Sequence, residues 1–398
     1  MFELLAPLPA DPILGLMALY QQDSNPHKVD LGVGVYKNEA GQTPVLSSIK
    51  QAEQRLLHKE ITKAYVAPAG HPEFNAQMAT LLFGGDHCAV RDERLALVQT
   101  PGGCGALRVA AELVKVVNSK ARIWVSDPTW GNHIPLLGSS GLEIALYPYF
   151  DPATNGVKFD EMMATLAQVD KGDLVLLHAC CHNPTGADLS RDQWQAVAQL
   201  AQEKGFTPFV DIAYQGFGES LEGDAYGLRL LAATLPELVV AASCSKNFGL
   251  YRERVGVVGV LSRNTKSAAA IKSHILSLVR GIYSMPPAHG ALLVAEVLAD
   301  AELKSLWLTE LKEMRERIQS LRSQFVREMN QRGAGERFDF VSRQSGMFSF
   351  LGLNEIQVAH LQQEFSVYMV GSSRASIAGL NQANMDYVCD AVMKSCQM

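Results

Sequence analysis

Leu238-Val239-Val240-Ala241-Ala242-Ser243-Cys244-Ser245-Lys246-Asn247-Phe248-Gly249 sets one lysine just past the end of an unbroken apolar run. The run has no polar face, so it reads as a buried strand, as in the interior of a parallel sheet. A lysine at such a strand's end, among small hydroxyl residues, is partly desolvated, and cationic neighbours lower its pKa. Those are the requirements of an amine that attacks carbonyl carbons and forms a Schiff base. On this segment alone, an ordinary loop lysine remains an open alternative.

The same pattern of apolar run and polar turn recurs along the chain. Arg122-Ile123-Trp124-Val125-Ser126 leads into Asp127-Pro128-Thr129-Trp130, and Leu174-Val175-Leu176-Leu177-His178 leads into Asn183-Pro184-Thr185-Gly186. Phe206-Thr207-Pro208-Phe209-Val210-Asp211 leads into Ala213-Tyr214-Gln215-Gly216. Helical patterns follow, Gln193 to Lys204 among them, so the spacing predicts a mainly parallel sheet covered by helices over residues 45–312. Ligands of such sheets gather beyond the carboxyl ends of the strands, where all four polar turns then lie. A long periodic helix is expected from Leu303 to Asn330, a strand-like pair over Phe338 to Phe350 and a helix from Glu355 to Phe365. This α+β tail reads as a second domain, joined by the segment near Asp30 to Tyr36.

Composition narrows the function classes. With 398 residues, 47% hydrophobic and 19% charged, the chain reads as a soluble two-domain protein. A net charge of -6 without a basic tract argues against nucleic acid as a partner. Apolar stretches stay short of transmembrane length, and the basic flank of a secretory or transit peptide is missing before Lys28, so a cytoplasmic protein without a membrane partner is expected. Seven cysteines, with Cys180 and Cys181 adjacent, suit reduced thiols. His178-Ala179-Cys180-Cys181-His182 lacks metal-ligand spacing, because neighbouring strand side chains point to opposite faces, and no metal is expected.

Thr100-Pro101-Gly102-Gly103-Cys104-Gly105 precedes a helix pattern from Ala106 to Val117, where free backbone N–H groups and the helix dipole can hold a phosphate. Asp211, ending an apolar strand, is a carboxylate whose burial needs a positive partner, unless it only caps a helix. A protonated pyridine nitrogen is such a partner. Lysine, phosphate turn and aspartate together meet the requirements of pyridoxal 5'-phosphate.

The motifs Ser-x-Ser-Lys-Asn-Phe-Gly-Leu-Tyr, Cys-Cys-His-Asn-Pro-Thr-Gly, Asp-Ile-Ala-Tyr-Gln-Gly-Phe and Pro-Pro-Ala-His-Gly are specific in combination. Through them the chain resembles, over nearly its whole length, the fold-type I, class I pyridoxal-phosphate-dependent aminotransferases of the aspartate/aromatic subgroup. The resemblance implies an α/β large domain at 45–312 with a mainly parallel seven-stranded sheet, a small α+β domain at 12–44 and 313–398, and an N-terminal arm at 1–11. It implies that Lys246 carries the Schiff base and shuttles the proton, that Asp211 keeps the pyridinium protonated, and that Tyr214 and Asn183 bond the 3-oxygen. Trp130 stacks on the ring, with His133 and His178 behind Asp211. Gly103, Cys104, Ser243, Ser245 and Arg254 take the phosphate, with Tyr65 reaching over from a second subunit of a homodimer with shared sites.

For the substrate, the resemblance assigns the α-carboxylate to Arg374 of the small domain and a distal carboxylate to Arg280 across the subunit interface, with Gly34 also at the substrate. Amino acids and 2-oxo acids are therefore the expected small-molecule partners, 2-oxoglutarate among them. Three positions depart from the family pattern: Cys104 replaces a Thr or Ser, Met285 a polar residue beside the distal carboxylate, and Ala64 an Asn before Tyr65. Val35, Lys37 and Thr43 match aspartate-selective members. The mixed pocket implies dual specificity for aromatic amino acids and aspartate, with aspartate selectivity, a β-lyase or decarboxylase, and a cofactor-sensing regulator as alternatives.

Overall fold

The computed structural model describes residues 2–7 and 12–398; the expected arm at 1–11 therefore lies in part outside the described residues. The chain divides into two compact units, Met1–Thr43 with Ile318–Met398, and Pro44–Arg317.

The larger unit is built, among the described residues, on a seven-stranded sheet: β1 (Leu95–Pro101), β2 (Arg122–Asp127), β3 (Glu143–Pro148), β4 (Leu174–His178), β5 (Thr207–Ile212), β6 (Leu238–Ser243) and β7 (Val255–Leu261), in the order β1-β7-β6-β5-β4-β2-β3. Only β7 runs against its neighbours. Strands β6 and β7 are buried at every residue, which explains why their sequences show no polar alternation: both faces are covered. One face packs Val98, Ile123, Leu176, Phe209, Ala241 and Val258 against the helix α1 (Gly102–Val117). Helix α2 (Arg191–Lys204) begins two residues before the expected Gln193, at a reciprocal Ser190–Gln193 capping box, and stops at Gly205 with φ +77. Helices α3 (Thr265–Ile282) and α4 (Ala301–Gln331) follow β7, and the division between the units falls within α4.

Because six strands run parallel, the carboxyl ends of β2, β4, β5 and β6 open on one edge, and the turns after them carry Trp130, Asn183, Tyr214 and Lys246. Helix α1 starts four residues earlier than its hydrophobic period indicates, so the glycine turn is itself the first helical turn. Gly102 has φ +73, a backbone shape that only glycine adopts without strain. Cys180 and Cys181 lie past the end of β4, in a loop rather than on a strand, so the strand-face argument does not apply to them.

The smaller unit pairs Val29–Asp30 in parallel with Val367–Tyr368, and Phe348–Phe350 antiparallel with Arg374–Ser376. Its core gathers Leu31, Phe325, Phe338, Val341, Leu361 and Val388. The strand-like pair expected over Phe338 to Phe350 is corrected here: Gly335–Phe338 and Phe340–Arg343 are short helical segments, and only Phe348–Phe350 is a strand. Phe338 and Val341 are three residues apart and both fully buried, so a helical turn satisfies both at once, which alternation does not.

Candidate active site

The cluster at the carboxyl edge of the sheet centres on Lys246 and Asp211. Lys246 Nζ stands 4.8 Å from the centre of the Tyr214 ring, as a cation over its face. Burial lowers the pKa of this amine; the charges of Asp211 and Cys104 oppose the shift and that of Arg254 adds to it. Of the two influences expected from the sequence, desolvation and cationic neighbours, loss of water is the larger.

Asp211, with a side chain 10% exposed, accepts a hydrogen bond from His133 Nε2 at 2.9 Å. Burial alone raises its pKa, yet the His133 hydrogen bond and neighbouring positive charge leave it below the ordinary value. His178 adds little of that charge at neutral pH, because its own burial lowers its pKa to about 3. It is linked to the Asp211 carboxylate through two intermediaries, Thr129 and His133: its Nε2 lies 3.0 Å from Thr129 Oγ1, which lies 2.7 Å from His133 Nδ1.

Rings continue this arrangement on both sides. Trp130 meets His133 edge-on at 5.2 Å, His133 meets His178 at 5.1 Å, His178 meets His182 at 4.2 Å, and His182 lies flat on Tyr149 at 4.1 Å. His182 is held by Ser126 and Thr185, and its pKa is driven well below the ordinary value by burial. The loop carrying buried Asn183 is fixed by Asp188, whose two oxygens accept the N–H groups of Cys181 and His182, each at 2.8 Å. Sequence reading did not single out Thr129, Asp188 or Tyr149. Asp188 had a visible signal, a carboxylate four residues after Pro184, and its two donors lie only six and seven residues before it in the same loop.

The start of α1, Arg254 and two serines come together within electrostatic reach of Lys246. At the start of α1 there is, among the described residues, no side-chain cap, so its leading N–H groups point out of the helix without one. Arg254 projects over that turn: its Nη2 would lie 2.7 Å from any Cβ at Gly102. Gly103 approaches Ser243 so closely that a Cβ would stand 3.3 Å from the serine Cβ, and Ser245 N–H donates to Ser243 Oγ at 3.2 Å. Asn132 Nδ2 reaches Cys104 Sγ at 3.9 Å. A cation, hydroxyls and a helix N-terminus are the donor set of a phosphate, and a buried ionised carboxylate 2.9 Å from His133 suits a protonated ring nitrogen. These residues fit pyridoxal phosphate.

Two of the remaining expected residues belong to the larger unit and two to the smaller. Arg280, in the last turn of α3, is exposed and hydrogen-bonds Ser284, and Tyr65 is 95% exposed. In the smaller unit Arg374 donates to the Gly32 carbonyl at 2.6 Å and lies 4.4 Å over the Phe348 ring, while a Cβ at Gly34 would meet that ring at 3.0 Å. Phe348 thus joins Gly34 and Arg374, a grouping the sequence did not indicate.

Residues 26–392 match the family described as aminotransferase class I and II. The chain is 47% identical to the aspartate aminotransferase of Escherichia coli, over 99% of each chain. It is 46% identical to the aromatic-amino-acid aminotransferase of Pseudomonas aeruginosa, again over 99% of each. The crystal structure of an aromatic-amino-acid aminotransferase from Burkholderia pseudomallei, covalently bound to pyridoxal phosphate, superposes with a TM-score of 0.97 at 42% identity, covering 99% of both chains.

Proposed function

The chain belongs to the class I and II aminotransferase family, and from that membership we propose roles for its residues and a dual choice of amino donor. It is a pyridoxal-phosphate-dependent aminotransferase of the aspartate/aromatic type. When bound, the cofactor supplies an aldehyde that exchanges amines and a ring that accepts the electron pair left when the substrate Cα loses its proton.

Lys246 is the amine that holds the cofactor between turnovers and, once displaced, the base that moves the Cα proton. The observation that carries this is its place: a partly desolvated amine 4.8 Å from the Tyr214 ring, in electrostatic reach of the buried Asp211. Low pKa leaves a larger share of the amine unprotonated and able to act as a base. Asp211 faces the ring nitrogen, held ionised by His133. Tyr214 and Asn183 bond the ring's 3-oxygen, and Trp130 covers its face. Gly103, Cys104, Ser243, Ser245 and Arg254 hold the phosphate, with Arg254 offering a two-pronged guanidinium.

Arg374 takes the substrate α-carboxylate, its guanidinium steadied by the Phe348 ring, with Gly34 leaving room nearby. Arg280 takes the distal carboxylate of aspartate, glutamate or 2-oxoglutarate in the site of a partner subunit, to which Tyr65 also contributes. The exposure of Tyr65, Ile61 and Leu57 in the isolated chain supports a homodimer, since an apolar group of this kind is usually covered by a partner. Seven free thiols support a cytoplasmic location; among the described residues no helix is long and apolar enough to cross a membrane.

The donor preference rests on Arg280 together with Met285. A retained cation beside an apolar wall admits aspartate when the arginine points in and an aromatic ring when it turns away. Steady-state kcat/KM for aspartate, phenylalanine, tyrosine and tryptophan, with 2-oxoglutarate as acceptor, tests this. We expect both donor classes to fall within about two orders of magnitude of each other. Turnover of one class alone would reject dual specificity.

A further inference from the structure

Helix α4 presents Trp307, Leu311 and Arg315 at four-residue intervals, so the three side chains form one stripe along the helix. Each meets a turn that leaves the functional edge of the sheet. Trp307 is fully buried, donates its indole N–H to the Asn247 carbonyl at 2.7 Å, and lies flat on Phe248 with centroids 4.4 Å apart and planes 3° from parallel. Asn247 and Phe248 are the two residues after Lys246. The turn they occupy closes on the lysine itself, where Gly249 N–H donates to the Lys246 carbonyl at 3.0 Å.

Further along the stripe, the contacts are with the turn after Tyr214. Gly216 has φ +97, and any Cβ there would stand 2.5 Å from Leu311 Cδ2, so the helix surface and the glycine backbone fit directly against each other. Arg315 Nη1 donates to the Gly216 carbonyl at 3.0 Å. This turn closes in the same way, Phe217 N–H donating to the Tyr214 carbonyl at 3.0 Å. On its far side Asp224 accepts the N–H groups of Gly216, Gly218 and Glu219 at 2.7 to 2.9 Å. One rigid rod is therefore keyed, through two side-chain hydrogen bonds to main-chain carbonyls, to the turns that carry both members of the Lys246–Tyr214 pair.

We propose that the Trp307–Leu311–Arg315 face of α4 is a template that sets the Lys246 amine against the Tyr214 ring, making Trp307 and Arg315 positioning residues for amino transfer. The inference rests on Lys246 being the cofactor's lysine. A tryptophan serving only the core would be satisfied by the stack on Phe248 with its N–H bonded anywhere; here the N–H is spent on the residue next to the reactive lysine, and Arg315 repeats the arrangement at the second turn. Loosening either end lets water reach the amine, which faces Asp211, Cys104, Arg254 and the Tyr214 ring.

The test uses Trp307→Phe, which keeps a stacked ring and removes the donor, and Arg315→Met, which removes the bond to Gly216, with Arg315→Lys as the conservative rescue. The first readout is the pH midpoint of Lys246 acylation in the cofactor-free protein, followed by peptide mass spectrometry. Burial lowers the amine's pKa, so a looser turn moves this midpoint upward; we expect about half a pH unit or more in Trp307→Phe and in Arg315→Met, and partial return in Arg315→Lys. In the loaded enzyme kcat should fall roughly threefold to tenfold with KM nearly unchanged, because placement of the base matters after the donor is bound. Unmoved midpoints and kcat in both variants, or a loss of melting temperature alone, would overturn the proposal. Borohydride reduction of the loaded wild-type enzyme separates the two levels: an adduct on another lysine overturns the site assignment and the template with it, whereas an adduct on Lys246 with unmoved midpoints overturns the template only.

Discussion

His133 Nε2 lies 2.9 Å from Asp211 Oδ2, and the direction of that hydrogen bond fixes the direction of every bond behind it. An ionised carboxylate only accepts, so His133 donates from Nε2 and, when neutral, accepts at Nδ1 from the Thr129 hydroxyl, whose oxygen in turn accepts from His178 Nε2. The relay delivers donors to Asp211 and keeps it charged in a place where burial alone would protonate it.

Removing that charge should remove most of the chemistry. Asp211→Ala is expected to lower kcat by about a thousandfold or more and to weaken cofactor binding, since nothing else then favours a protonated ring nitrogen. Single-turnover kinetics with saturating cofactor measure the loss. A decrease of less than about tenfold would remove Asp211 from this role.

The buried imidazoles predict acid sensitivity of a definite sign. His178 has a folded pKa of about 3 against an ordinary value of 6.5, so only the unfolded chain takes up the proton between those values. Its contribution to stability is present above pH 6.5 and is lost as pH falls toward 3, at about 1.4 kcal/mol per pH unit. His182, shifted in the same direction, adds to the slope. Urea unfolding of the cofactor-free protein across this range, compared with His178→Asn, should show a shallower pH slope in the variant. Equal slopes would mean that His178 is protonated in the folded protein.

If Cys104 holds the phosphate as proposed, it offers a weak thiol donor where a hydroxyl bonds better. Cys104→Ser is expected to tighten cofactor binding by about 1 kcal/mol, roughly fivefold in Kd, with little change in the bound spectrum. Fluorescence titration of the apoprotein measures it, and weaker binding in the serine variant would place the thiol outside the phosphate site.

From the proposed role of Arg280, Arg280→Val is expected to separate the donor classes. Aspartate loses a charge-assisted pair of on the order of 2–5 kcal/mol, while phenylalanine loses none. Rates of the first half-reaction for the two donors, compared between variant and wild type, check this. Equal losses would show that Arg280 does not read the distal carboxylate.

Four strands of the sheet were legible because they are apolar runs ending in polar turns: β6, covered on both faces, was read from its apolar composition, and the turns after β2, β4, β5 and β6 then had to share an edge, whereas β7, equally buried, was not singled out. Lys246 and Asp211 could be read because each is an ionisable group at the end of such a run. The helical segments over 335–343 were not legible, since Phe338, Phe340 and Val341 suit either period until a neighbouring core selects one. Thr129 and Trp307 were hidden for another reason. Each acts through a partner distant in sequence, 49 residues from Thr129 to His178 and 60 from Trp307 to Asn247, and no local pattern records such a pairing.

Lys246 is, on the function proposed above, the residue through which this aminotransferase holds its cofactor. Reducing the loaded enzyme with borohydride makes that linkage permanent, and peptide mass spectrometry then locates it. A single phosphopyridoxyl adduct is expected on the peptide containing Ser245-Lys246-Asn247, absent from Lys246→Ala. An adduct on any other lysine, or an unmodified Lys246 in an active, fully loaded enzyme, would contradict it.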